Sequence, residues 1–302
     1  MTNRPLTRIL FFVALLFFVA SNSTPAPSKS RIIDEVGREV VFAFPPKRIV
    51  SLAPNTTEIL FSLGLDTEIV GVSSDSNFPK EASRKAPVGG YLNPDVERIV
   101  SLQPDLIIGT GAGNTRDVVT RLGDLGFPTY VIFPKTFDTI LRSIDHLGQV
   151  VGREEEATAI VQGMKRRRER VVERTQGRHR PRVLFLVGES PIVTAGKGSF
   201  ADDLIRLAGG DNVGGNEKDR YPRLGMEEVL QRAPDVILIS AMNPRAEYNK
   251  VLQEWRRWKT IPAVRENRIH LIDSDVTDRP SPRIIEGLEE MARILHPEVF
   301  KK

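Results

Sequence analysis

The sequence predicts an α/β protein of two Rossmann-like lobes, each a mostly parallel sheet flanked by helices, joined by one long α-helix. Three observations carry that prediction. A phrase occurs twice: Glu97-Arg98-Ile99-Val100 leads through Ser101-Leu102-Gln103 to Pro104-Asp105-Leu106-Ile107-Ile108, and 130 positions later Glu227-Glu228-Val229-Leu230 leads through Gln231-Arg232-Ala233 to Pro234-Asp235-Val236-Ile237-Leu238. Two copies so far apart imply two similar lobes rather than a solenoid. Short apolar runs alternate with amphipathic helical segments, the pattern of βαβ units. Between the lobes, Phe137 to Thr175 contains no Pro and keeps helical spacing throughout.

The elements follow in order. Arg31 to Val41 reads as a hairpin around Val36-Gly37-Arg38, and Arg48 to Leu52 as a buried strand. Pro54-Asn55-Thr56-Thr57-Glu58 opens a helix, with Asn55 or Thr56 as the cap and Glu58 in the first turn. Further strands fall at Ile69 to Val72, Leu106 to Ile108 and Thr129 to Ile132. These segments define an N-terminal lobe over 31–137. Ile140, Ile144, Leu147, Val151, Ala157, Val161, Met164 and Val171 make a backbone helix over 138–176, weakened in its middle by Gly148 and Gly152. Its run Lys165 to Arg170 reads as a solvated face. The C-terminal lobe, 180–302, has strands at Arg182 to Val187, after the second Pro-Asp, and at Arg268 to Ile272. Its helices fall at Phe200 to Leu207, Trp255 to Lys259 and Pro282 to Leu295, in an order that repeats the first lobe.

The chain has 302 residues, 40% hydrophobic and 27% charged, with a formal net charge of +4. Arg4 and Arg8 precede an apolar stretch from Ile9 to Ala20, followed by small and polar residues. That order marks a signal peptide over residues 1–27, cleaved between Ala20 and Ser28. As a helix the apolar stretch rises about 18 Å, short of a bilayer core of about 30 Å. The chain is therefore expected to be exported. With no Cys it has neither a disulfide nor a lipid-acceptor thiol, which favours a periplasm. Without the first thirty residues the charge is nearly balanced, which gives no argument for nucleic acid.

Catalytic signals are absent. Gly111-Ala112-Gly113 lacks the third glycine of a dinucleotide fingerprint. Ala195-Gly196-Lys197-Gly198-Ser199 lacks the Ser or Thr of a phosphate loop and reads as a turn between strand and helix. His146, His179, His270 and His296 fall in four segments with no metal-ligand spacing. No metal and no cofactor of the protein's own is expected. The chain reads as a binder.

The loops before the two Glu residues match. Tyr91 lies six residues before Glu97, and Tyr221 six before Glu227, so each lobe offers an aromatic in an equivalent place. In an open α/β sheet the ligand crevice lies beyond the carboxyl ends of the strands. Facing tyrosines suit a flat, partly apolar ligand. Asp75, Asn77 and Asn93 add polar groups from the first lobe, and Asp275, Asp278 and Arg279 from the second.

Arg48-Ile49-Val50-Ser51-Leu52-Ala53-Pro54 followed by Thr57-Glu58, the Glu97 phrase, and Ser281-Pro282-Arg283-Ile284-Ile285 resemble the periplasmic substrate-binding proteins of ABC importers for cobalamin, ferric siderophores and haem. Within that family the pattern is most similar to the cobalamin binders. The resemblance implies a monomer that captures a corrinoid in the inter-lobe cleft and delivers it to an ABC permease dimer with its ATPase. It implies that Glu97 and Glu227 dock into arginine pockets of the permease. Tyr91 and Tyr221 match two corrin-facing aromatic positions, whereas Thr110 and Asp75 stand where the family has two more. Haem or a ferric siderophore is the alternative cargo, with Tyr91 as an axial iron ligand in the first case and Arg220, Arg223 and Arg279 as the basic pocket in the second. An exported enzyme on this scaffold is the remote alternative.

Overall fold

The computed structural model describes residues 28–114, 116–241 and 251–300; the expected signal peptide lies outside them. An antiparallel hairpin, β1 (Ser28–Ile33) and β2 (Glu39–Phe44), leads into the first lobe. That lobe is a five-stranded, wholly parallel sheet in the order β5-β4-β3-β6-β7. Its strands are β3 (Ile49–Ser51), β4 (Ile69–Val72), β5 (Ala86–Pro87), β6 (Leu106–Thr110) and β7 (Thr129–Ile132). β3, β6 and β7 are buried along their whole length, hence their continuous apolar runs. Helices α1 (Pro54–Ser62), α2 (Val96–Ser101) and α3 (Arg116–Asp124) cover the two faces.

In the second lobe β8 (Arg182–Glu189), β12 (Val236–Ala241) and β13 (Ile269–Asp273) run parallel, and β10 (Asp211–Asn212) pairs in parallel with β8. The strand order around β8 repeats that around β3, with one departure. β9 (Ile192–Thr194) and β11 (Arg223–Leu224) add an antiparallel edge that the first lobe lacks. The helices here are α6 (Phe200–Leu207), α7 (Met226–Arg232), α8 (Pro262–Arg265), α9 (Ser274–Thr277) and the closing α10 (Ile284–Leu295). The helical piece expected at Trp255 to Lys259 lies earlier, with helix at 251–255 and a turn after it.

The repeated phrase is a clasp. The Asp105 carboxylate accepts from the backbone N–H of Lys47 (2.7 Å) and Arg48 (2.9 Å), where β3 begins. Asp235 accepts from the N–H of Arg182 (2.9 Å), where β8 begins. The guanidinium of Arg48 donates to the Leu102 carbonyl (2.7 Å) at the end of α2, and that of Arg182 to the Arg232 carbonyl (3.3 Å) at the end of α7. Gln103 and Ala233, each just before the Pro-Asp, take positive φ (46° and 44°), which ends the helix and turns the chain into the strand. The duplication therefore places α2 and α7, with Glu97 and Glu227 in their first turns, in equivalent positions.

The backbone helix expected over 138–176 is not continuous. It is a hairpin of α4 (Phe137–Val151) and α5 (Glu154–Thr175). Gly152 ends α4 in the left-handed region (φ 70°), where a side chain would be strained. A Cβ on Gly148 would come within 2.4 Å of the Ala157 Cβ, so α5 can cross α4 there only because residue 148 has no side chain. Arg168 near the end of α5 pairs with Asp138 at the start of α4. Arg167 pairs with Glu289 on α10 (2.9 and 2.8 Å), so two of the five basic residues of the run are engaged, while Lys165, Arg166 and Arg170 remain exposed. The long connecting helix is thus α5 alone, about 33 Å at 1.5 Å per residue.

One apolar core runs unbroken from the first sheet (Ile49, Ile108, Tyr130) through Ile144 and Met164 to the second (Phe185, Leu238) and α10 (Leu288, Met291). Close-packed interiors resist deformation, so this shared core holds the lobes at fixed separation. Among the described residues, no helix is long and apolar enough to cross a membrane.

Candidate functional site

The site is built from loops at the carboxyl ends of the parallel strands. α1 starts where β3 ends. Neither Asn55 nor Thr56 caps it; the N-cap is Ala53, without a side-chain bond. The hydroxyls of Thr56 and Thr57 donate instead to the Ala53 carbonyl (2.9 and 3.0 Å). Thr57 also meets Ser51 (2.8 Å) and Ser76 (2.9 Å), so buried hydroxyls bind the α1 start to the loop after β4. Glu58 lies past the first turn and is buried.

The loop bearing Tyr91 is held from two sides. Asp75 accepts from the Tyr91 backbone N–H (2.6 Å). Buried Asn114 donates to the carbonyls of Tyr91 (2.9 Å) and Leu52 (3.2 Å) and accepts from the Thr110 N–H (2.8 Å). The phenol ring then lies on the backbone of Gly113: a Cβ there would stand 1.9 Å from Tyr91 Cζ. Gly113 is thus the bed of an aromatic ring. Asn93 is exposed in the same loop, and its N–H donates to the Gly90 carbonyl (3.1 Å).

Tyr221 stands on the other lobe, exposed at 52%. The two phenols lie close enough to interact. Burial, and then the neighbouring Tyr221, push the Tyr91 phenol above its ordinary range. Burial and the Asp278 carboxylate raise that of Tyr221, opposed by Arg220. Asp278 accepts from the Ser240 hydroxyl (2.6 Å) at the end of β12. Its carboxyl is raised chiefly by burial, and also by Asp273 and Asp275, against hydrogen bonds from Ser240 and Thr277.

A polar bridge crosses between the lobes. The guanidinium of Arg279 donates to Asn77 Oδ1 (2.6 Å) and Glu58 Oε1 (3.2 Å) and pairs with Asp275 (2.8 Å). Asn77 Nδ2 donates to Asp275 Oδ2 (3.2 Å). Ser281 donates to Glu58 Oε2 (2.6 Å), and Arg283 reaches Glu58 Oε1 (3.5 Å). Arg283 also lies 4.0 Å from the ring centroid of Phe78, a largely exposed aromatic on the first lobe. Burial raises the Glu58 carboxyl, against hydrogen bonds and charge from Ser281, Arg283 and Arg279.

The structure therefore brings together Tyr91, Tyr221, Asp75, Asp275 and Arg279, the last two engaged with each other and with the opposite lobe. Glu97 and Glu227 lie apart from this cluster on exposed first turns. Sequence reasoning missed Phe78, Gly113, Asn114 and the bridging roles of Glu58 and Ser281. The motifs holding Glu58 and Ser281 were visible, but nothing local shows that they meet. Among the described residues no group of His, Cys, Asp and Glu could hold a metal ion.

Two α/β lobes, each offering an aromatic near the other, fit the architecture of a small-molecule binding protein. The comparisons agree. A family model described as "Periplasmic binding protein" matches residues 49–276, and the chain belongs to that family. It is 30% identical over 261 residues to the vitamin B12-binding protein of Vibrio parahaemolyticus, covering 85% of this chain and 92% of the relative. It is 30% identical over 278 residues to the ABC transporter substrate-binding lipoprotein YvrC of Bacillus subtilis, covering 90% and 87%. Among solved structures, the periplasmic vitamin B12-binding protein BtuF of Vibrio cholerae superposes with a TM-score of 0.75 at 30% identity, over 85% of this chain and 99% of that one. The periplasmic haem-binding protein RhuT of Roseiflexus superposes with a TM-score of 0.75 at 25% identity, over 84% and 99%. The chain is a substrate-binding protein of this class, not an enzyme.

Proposed function

We propose that this protein is exported to the periplasm by residues 1–27, binds a corrinoid as a monomer between its N-terminal (31–137) and C-terminal (180–302) lobes, and delivers it to an ABC permease dimer with its ATPase. The observation that carries the reading is that Tyr221 of one lobe lies near enough to Tyr91 of the other to raise its phenol, in a chain 30% identical to vitamin B12-binding proteins. Two phenols of this kind can close on the face and edge of a flat macrocycle. Asp75 and Asn114 hold the Tyr91 loop in place before any ligand arrives, which lowers the ordering cost of binding. The shared core favours small lobe movements. Asn93, Asp75, Asp275 and Arg279 line the polar margin in this reading, and Glu97 and Glu227 meet the permease.

Haem is the weaker reading. Burial and Tyr221 both hold the Tyr91 phenol above its ordinary range, so an axial phenolate would depend on the ferric ion alone to displace the proton. Of the three arginines that a ferric siderophore would call on, Arg279 is bound to Glu58 and Asp275, which leaves only Arg220 and Arg223 for it. The test is titration of the apo-protein with cyanocobalamin, haem and a ferric siderophore, followed by the visible band of each. Saturable binding of cyanocobalamin is expected; uptake of haem or the ferric chelate alone would overturn the proposal.

A further inference from the structure

β7 is an edge strand of the first sheet, and the turn of the β1–β2 hairpin lies along it. Three bonds at alternate residues fasten the two. The Arg38 guanidinium donates to the Thr129 carbonyl (2.9 Å), the Glu35 N–H to the Val131 carbonyl (3.1 Å), and the Phe133 N–H to Glu35 Oε2 (2.6 Å). The first two cover a free strand edge. The third uses a carboxylate withdrawn from water. The Glu35 side chain is 15% exposed, and its Oε2 also accepts from the Ser143 hydroxyl (2.8 Å) on α4. Its Oε1 is buried without a hydrogen-bond partner among the described residues and faces the His146 imidazole at 3.4 Å. Desolvating a carboxylate is costly, and covering one edge N–H does not require it.

The position of Phe133 accounts for it. The Phe133 ring lies on the backbone of Gly111: a Cβ there would stand 2.9 Å from Phe133 Cγ and Cδ2. Lys135 Nζ lies 4.4 Å from the centroid of the same ring. Gly113, two residues on, bears the Tyr91 ring. The pair of glycines that lacks a dinucleotide fingerprint therefore holds two aromatic rings, Phe133 at one end and Tyr91 at the other. Asn114 follows directly and donates to the Tyr91 carbonyl. Close-packed contacts transmit displacement, so a shift of Phe133 moves the loop on which Tyr91 rests.

We propose that Glu35 is a positioning residue for ligand binding: reaching from the β1–β2 turn, it fixes Phe133 and, through that ring, the Gly111–Asn114 loop beneath Tyr91. This rests on the reading in which Tyr91 holds the ligand, and adds to it a support from outside the cleft. The charge on Glu35 makes its bond to the Phe133 N–H stronger than a neutral one. Neighbouring cations do not draw Glu35 away, because Arg38 is bound to Asp34 (3.0 Å) and Lys135 lies over the Phe133 ring. A bed held in place before the ligand arrives lowers the ordering cost of binding.

The experiment compares Glu35→Gln with Glu35→Met. Both fill the volume of the side chain, but only Gln retains an oxygen that accepts from Phe133 and Ser143. Cyanocobalamin is titrated calorimetrically into wild type and both variants, with thermal melts to establish folding. Hydrogen exchange follows residues 111–114, where the Gly111 N–H is bound to the Ile132 carbonyl (2.8 Å) and the Asn114 N–H to the Thr110 carbonyl (3.2 Å). Glu35→Met is expected to bind about fivefold more weakly, with faster exchange at 111–114 and none gained in the second lobe. Glu35→Gln should stay within about twofold of wild type. Phe133→Leu should reproduce the Glu35→Met loss, and the double variant should lose no more than either alone, since both act through one contact. Equal affinity in wild type and folded Glu35→Met, or an equal loss in the Gln and Met variants, overturns the role of Glu35 and leaves the corrinoid reading intact. If wild type takes up no cyanocobalamin, the corrinoid reading falls and exchange decides: faster exchange at 111–114 in Glu35→Met upholds the positioning role, and unchanged exchange overturns it too. If Glu35→Met does not fold, Phe133→Leu decides by the same two measurements.

Discussion

Replacing Glu58 with Ala removes the centre of the inter-lobe bridge. The side chain is 1% exposed and receives Ser281 (2.6 Å), Arg279 (3.2 Å) and Arg283 (3.5 Å), all from the opposite lobe. Removing one partner of a buried ion pair costs about 3–5 kcal/mol when the other charge is stranded. Here the stranding is incomplete. Arg279 keeps Asp275 and Asn77, Arg283 keeps the Phe78 ring, and the two guanidiniums retain 19% and 17% exposure. The carboxylate also bears a desolvation penalty, which is why its pKa is raised. We therefore expect a loss of about 2–3 kcal/mol, below the full stranding cost. Glu58→Gln keeps an acceptor for Ser281 and should lose about 1–2 kcal/mol. Urea unfolding at equilibrium gives the values, read from the midpoint at constant slope. The variant Glu58→Ala combined with Arg279→Ala should be less damaging than the sum of the single changes by about 1 kcal/mol. A loss under about 0.5 kcal/mol for Glu58→Ala, with additive behaviour in the pair, would refute the bridge.

Gly113→Ala drives a methyl into the Tyr91 ring, so ligand affinity should fall by about tenfold while the melting temperature changes little, since a ring tip can move; equal affinity in wild type and variant would remove Gly113 as the bed of Tyr91. Tyr91→Ala and Tyr221→Ala should each weaken cyanocobalamin binding by about 1–3 kcal/mol, measured by calorimetry, and unchanged affinity would leave both rings a packing role. Glu97→Ala with Glu227→Ala should abolish uptake by the reconstituted importer yet leave solution affinity intact, and a fall in affinity instead would show that both residues were assigned the wrong role. The Asp278 carboxyl lies above its ordinary value of 3.8 in the folded protein, so its un-ionised form favours the fold. That contribution is full below 3.8 and is lost as pH rises through the folded value. The stability of wild type relative to Asp278→Asn should therefore decline from acid to neutral pH in parallel urea titrations, and a difference flat with pH would contradict the shift.

What was legible from sequence alone is what depends on near neighbours. The alternation of buried strands and helices shows in side-chain period, and the duplicated Pro-Asp clasp is written out twice because each copy closes its own helix-to-strand turn. The matching positions of Tyr91 and Tyr221 follow from that duplication. The hairpin of α4 and α5 was half legible: Gly148 and Gly152 stood out, but helical spacing continues through them. Only the packing of Ala157 against Gly148 and the left-handed Gly152 turned a straight rod into two helices. The partners of charge were not legible at all. Glu58 looks like an ordinary residue near a helix start, and Arg279 like a free cation for a ligand. They meet across 221 residues of chain, and burial makes each the other's counterion. Hydrophobic period and turn chemistry are local properties of a chain, so they survive translation into sequence. Which buried charge faces which depends on how two complete lobes dock, and that is decided only in three dimensions.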